Sequence, residues 1–116
     1  MRGAWLAFTM ASALALYFNL ALAHAEPAAL AGGWSPVGLQ EDAVLRAARF
    51  ALQEQSRQTP GGLKLLAIKH ARQQVVAGTN YSMNLMVKSE GKKRLAIAVV
   101  WVKPDGSMEL TRWHWV

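Results

Sequence analysis

Few residues of this chain have the types and spacing for bond-making chemistry. It holds three histidines, seven acidic residues and no cysteine. His70 and His114 are not spaced as a metal pair, and no thiol joins them. The acids form no paired-carboxylate motif of the kind general acid–base work needs. No serine is flanked by the glycines of a nucleophile elbow, and no phosphate loop is present. Catalytic residues, a metal and a cofactor are therefore not expected. What remains is a set of loop segments. Gln74-Val75-Val76-Ala77-Gly78 offers small apolar side chains with little entropy to lose on contact. Its glycine lets the backbone turn and approach a neighbour without a Cβ in the way. Gly32-Gly33 and the segment Pro104-Asp105-Gly106-Ser107 are two further candidate contact points.

These loops need elements to hold them. Gln40 to Arg57 has a helical period, with Ala43, Val44, Ala47, Ala48, Phe50 and Ala51 on one broad face. Asp42, Arg46, Arg49, Gln53, Ser56 and Arg57 fall on the opposite face. A face so rich in alanine lets a partner layer come close. Thr59-Pro60-Gly61-Gly62 ends the helix. The period then changes to two. Leu63 to Val76 reads as a long strand, and Tyr81, Met83, Leu85 and Val87 alternate with polar residues in a second. Glu90-Gly91-Lys92-Lys93 reads as a turn, Leu95 to Lys103 as a β-branched central strand, and Met108 to Val116 as a closing strand. Asp105-Gly106 suits the hairpin between the last two. Short connections imply antiparallel neighbours. The economical arrangement is α+β, a sheet wrapped around one helix. In such a meander the loops near residues 77 and 105 lie side by side at one end. Trp101 and Phe50 are expected in the core, and Trp34 with Pro36 is expected to pack the arm onto the domain.

The first stretch stands apart. Arg2 precedes a nearly all-apolar run from Ala4 to Leu22, then Ala23-His24-Ala25 and Glu26-Pro27. This is the pattern of a cleavable secretory signal, residues 1–25, with cleavage after Ala23 as the variant and a retained membrane anchor as the rival. Residues 26–33 then form a flexible arm and 34–116 one domain. Loss of Arg2 takes the basic residues from 13 to 12 against 7 acids, a net charge of +5. Small exported domains often rely on disulfides. This one must be held by its core and backbone pairing alone.

The chain resembles the cystatin family. The Gln-x-Val-x-Gly signature of that family stands here as Gln74, Val76 and Gly78. The N-terminal glycine matches Gly32, and the plant-type Ala-Arg-Phe-Ala helix core matches Ala48-Arg49-Phe50-Ala51. Leu63 to Gln74 and Val100-Trp101-Val102-Lys103-Pro104 are also similar to plant cystatins. The absence of cysteine resembles stefins and plant members. The resemblance implies a four- to five-stranded antiparallel sheet around an N-terminal helix. It implies reversible inhibition of papain-like cysteine proteases by a three-part wedge. The residues this gives to the wedge are Leu30, Ala31, Gly32 and Gly33 on the arm, Gln74, Val75, Val76, Ala77 and Gly78 in the first loop, and Pro104 and Asp105 in the second. The chain departs from the pattern at Asp105, where many relatives have Trp. Truncating an aromatic anchor often costs about 2 kcal/mol or more, so the arm and first loop should carry most of the binding.

The implied partner is a protease, with no nucleic acid and no membrane once the leader is removed, and the implied location is secreted or periplasmic. The implied state is a monomer, with exchange of hairpins between two chains as its alternative. A different class of reading treats the basic domain as a binder of anionic surfaces or nucleic acid, centred on Lys92-Lys93-Arg94. Against it, the aromatics are not interleaved with basic residues, apart from Arg112 beside Trp113. An enzyme on the same scaffold would need buried acids or histidines, which the strands scarcely supply.

Overall fold

The computed structural model describes residues 32–116. The leader assigned to residues 1–25 and the arm residues 26–31, with Leu30 and Ala31, lie outside the described residues. The elements are β1 (Trp34–Pro36), α1 (Asp42–Ser56), β2 (Lys64–Val76), β3 (Gly78–Ser89), β4 (Lys92–Val102) and β5 (Met108–Trp115). The five strands form one antiparallel sheet in chain order. The architecture is the expected α+β pair, with five strands, the upper of the four to five expected.

The helix forms where its apolar period runs unbroken, and Val44, Ala47, Ala48, Ala51 and Leu52 are its buried residues. Four of these five belong to the predicted face. Its end is fixed by Thr59, whose hydroxyl donates to the Gln55 carbonyl, and by positive φ at Gly61 and Gly62. Against the helix the sheet sets alternate residues of its central strands: Tyr81, Met83, Leu85 and Val87 from β3, Ala98 and Val100 from β4. Trp113 and Trp115 of β5 flank this core, their rings edge to face at 5.3 Å. The buried cluster among the described residues runs from Val44 to Val100, so the portion after the proposed leader carries all of it.

Two expectations are corrected. Trp101 is not a core residue. It is half-buried on the face of the sheet turned away from the helix, since its neighbours Val100 and Val102 take the helix side. Only Glu90-Gly91 makes the third turn, and Lys92 and Lys93 already belong to β4. Trp34 to Pro36 is more than a packed arm. It pairs with Arg72 to Gln74 as an edge strand, a place that tolerates Pro36. Beyond that short cover no other described strand pairs with the edge of β2, and two irregularities, between Leu65 and Ala67 and between Ile68 and His70, break its regular edge.

Ala47, Ala48 and Ala51 have no exposed surface, so the sheet stands as close to the helix as a methyl group allows. Ala48→Leu should overpack this seam and cost about 1–3 kcal/mol. Urea denaturation checks it: the midpoint falls while the slope stays the same.

Candidate functional site

The first and second contact loops meet at one end of the sheet, and the sequence of the first explains how. Val76 pairs directly with Gly78, leaving Ala77 at the tip. Gly78 has φ +86°, a left-handed value that side chains with a Cβ rarely take. A methyl group built there would stand 2.1 Å from the Val102 carbonyl oxygen and 3.1 Å from the Lys103 carbonyl carbon. So Gly78 lies flat against the base of the second hairpin, and no other residue fits. The loops near 77 and 105 are brought together as expected.

A row of side chains behind this edge fixes the first loop from the outer face of the sheet. Register places Trp34, Gln74, Asn80, Trp101 and Glu109 in line across all five strands. The Trp101 indole N–H donates to the Ala77 carbonyl at 2.8 Å, pinning the loop tip. The Asn80 amide donates to Gln74 Oε1 at 2.8 Å, and Gln74 Nε2 donates to the Gly32 carbonyl at 2.9 Å. Gly32 N–H also donates to the Val75 carbonyl at 3.1 Å. Gly32 is therefore docked on the first loop by both of its backbone groups, and its φ of +84° turns the chain there. Trp101 and Asn80 escaped the sequence reading. Asn80 has a signal in principle, a polar residue two positions after the motif, but its partner is set only by register.

The apolar surface of the edge is real. Val75 and Val76 are 43% and 41% exposed, with Ala77 exposed between them and Gly78. Gln74, by contrast, spends its amide on Asn80 and Gly32 and acts as a strut. Gly33 is exposed beside Gly32.

The second hairpin is held by its own bonds. Lys103 N–H donates to Ser107 O and Gly106 N–H to Lys103 O, each at 2.8 Å. Asp105 accepts from the Ser107 hydroxyl at 2.7 Å and from its N–H at 2.9 Å. Pro104 and Asp105 are exposed at the tip. Those two bonds from Ser107, hydroxyl first and then N–H, hold the Asp105 carboxyl below its ordinary value. Asp105 is thus an internal brace of the turn and no substitute for an aromatic anchor. Lys103 joins this end to β5 through Glu109 at 3.3 Å, its ammonium 5.4 Å from the Trp101 ring.

The same architecture recurs in proteins of known structure. The salivary cystatin of the soft tick Ornithodoros moubata superposes with a TM-score of 0.63 at 23% identity, over 75% of this chain and 99% of that one. Dimeric human cystatin F superposes with a TM-score of 0.61 at 20% identity, over 75% and 90%. These define the fold as that of a cystatin-type domain. In sequence, a family model described as aspartic acid proteinase inhibitor matches residues 37–114. Cysteine proteinase inhibitor 5 of Arabidopsis thaliana is 33% identical over 93 residues, 78% of this chain and 76% of that protein. Cysteine proteinase inhibitor 6 of the same plant is 33% identical over 111 residues, 90% of this chain but 47% of its own length. The chain belongs to the cystatin family of proteinase inhibitors, as a member without cysteine.

The brace in the second hairpin is open to test by NMR. A carboxylate with a lowered pKa holds its bonds above that pKa and loses them as pH falls through it. The Ser107 amide resonance should therefore shift with a midpoint below the ordinary Asp value of about 3.9. In Asp105→Ala the shift should vanish.

Proposed function

We propose that the chain is exported through a cleaved leader and that its mature domain is a reversible, tight-binding inhibitor of papain-like cysteine proteases. The observation that carries this is the fixed pair of hairpins at one end of the sheet, with Val75, Val76 and Ala77 bare at the leading tip. Such an edge is preorganised, so little ordering is lost on association. The relatives of known length and name, matched over most of this chain, point to the cysteine class. The arm residues Leu30 and Ala31 would enter the cleft on one side of the catalytic thiol. Gly32, turned and tied to the first loop, would carry the chain past it without presenting a scissile carbonyl. Occlusion needs no covalent step, and the protein acts as a ligand, not an enzyme. With Asp105 braced inside its own turn, the second hairpin contributes shape, and the first loop and arm contribute most of the affinity.

The family model is described by the aspartic class of proteinase, so pepsin is the natural control. Purified Glu26–Val116 should titrate papain stoichiometrically and leave pepsin active. No inhibition of papain at micromolar concentration would overturn the assignment, and inhibition of pepsin alone would redirect it. Gly78→Leu should weaken papain inhibition at least about tenfold, because a left-handed Cβ alone costs roughly 1–2 kcal/mol before the clash with Val102 is counted. Unchanged affinity would remove this loop from the interface.

A further inference from the structure

Among the described residues nothing covers the face of the sheet turned away from the helix, and its charge is one-sided. Register puts Lys64 opposite Lys88, and Lys88 opposite Lys93, on three neighbouring strands at the end far from the contact loops. Like charges directly opposite each other destabilise a sheet. Among the described residues the ion pairs are Arg46–Asp42, Arg57–Glu54 and Lys103–Glu109, so none of these lysines has an acidic partner. Arg72 on β2 and Arg112 on β5 stand on the same face, at its two sides, in the row that runs through Ser82 and Val99. All five cations are exposed. Among the described residues the other acids lie elsewhere: Glu41, Asp42 and Glu54 with the helix, Glu90 and Asp105 in turns. Of these described acids Glu109 alone is on this face, and Lys103 neutralises it.

Between the cations runs an aliphatic stripe, Leu95, Ile97 and Val99 of β4, with Leu95 38% exposed. Trp34, also 38% exposed, and half-buried Trp101 close the stripe at the loop end. From the lysine row to the arginine row is about 20 Å, and from β2 to β5 about 14 Å, at ordinary strand spacings.

We propose that this face docks on the surface of an anionic lipid bilayer. The pattern decides between anionic partners. A single-stranded nucleic acid is held by aromatic side chains along its track, and here the centre is aliphatic. A solvated polyanion would engage the lysine row but leave the central apolar stripe unmatched. An anionic bilayer matches every part: head groups meet the flanking lysines and arginines, while the aliphatic stripe and the indoles suit the interfacial zone. The docking departs from the expectation of no membrane contact after leader removal. It asks nothing of the contact loops, which project from the end of the sheet and stay free.

The test is co-sedimentation of Glu26–Val116 with phosphatidylcholine vesicles, with and without phosphatidylserine at about a third of the lipid, at low and high salt. The protein should bind the anionic vesicles, ignore the neutral ones, and release as salt rises. Lys64→Gln, Lys88→Gln and Lys93→Gln together should weaken binding roughly a hundredfold. They also remove the mutual repulsion, so thermal stability should hold or rise, which separates lost binding from lost folding. Arg46→Gln, Arg49→Gln and Arg57→Gln together make the same change in net charge on the helix side and should leave binding within about twofold. Equal weakening by the two triples would overturn the proposal in favour of attraction by net charge alone. Tighter binding to DNA or to heparin than to the anionic vesicles would overturn it in favour of a soluble polyanion. No binding to anionic vesicles would overturn it outright.

Discussion

Everything at the contact end of this molecule depends on one close approach, the backbone of Gly78 lying against the carbonyl of Val102. The left-handed turn at Gly78 lets β3 leave the loop at once, so that Thr79 already pairs with Val102. The missing Cβ lets two hairpins share one edge with no side chain between them. Any larger residue would have to push the second hairpin away and break that shared edge. The rest of the fold supplies a platform stiff enough to keep the approach. The alanine face of α1 brings the sheet close to the helix, and the alternating residues of β3 fill the space between them.

Around that approach the molecule adds ties that each use a different residue type. Trp101 reaches under the first loop to hold Ala77 O. Gln74 links Asn80 to Gly32, so the point where the arm joins the domain is set by the same loop that the arm should work beside. Asp105 folds its carboxylate back onto Ser107 and stiffens the second turn. The polar ties thus lie behind the edge or inside the second turn, while the first tip presents only apolar side chains. Affinity at such an edge comes from area and from order established before binding.

The helix and β3 are legible because their periods are clean, and the other long strands because turn residues bound them: the predicted Gln40 to Arg57 differs from Asp42–Ser56 by two residues at the start and one at the end. The candidate loops were legible because glycine and proline interrupt those periods at Gly78 and Pro104. Trp101 was misplaced for a physical reason. From Leu95 to Val102 every residue is apolar, so alternation cannot say which set faces the helix. The tertiary pairing chose Ala96, Ala98 and Val100. β1 is three residues long and contains Pro36, too short to show a period. The Asn80–Gln74–Gly32 chain and the lysine row join residues far apart in sequence, and only the register brings them together.

The proposed protease-binding edge is confined to the two hairpin loops and leaves the helix and the outer sheet face out of that interface. Hydrogen exchange of the domain, free and saturated with catalytically inactivated papain, measures this most directly. The amides from Val75 to Thr79 and from Lys103 to Ser107 should slow together, while those of α1 and of Lys64 to His70 keep their free rates. Protection that appears on the helix or the outer face instead, with the two loops unchanged, would contradict it.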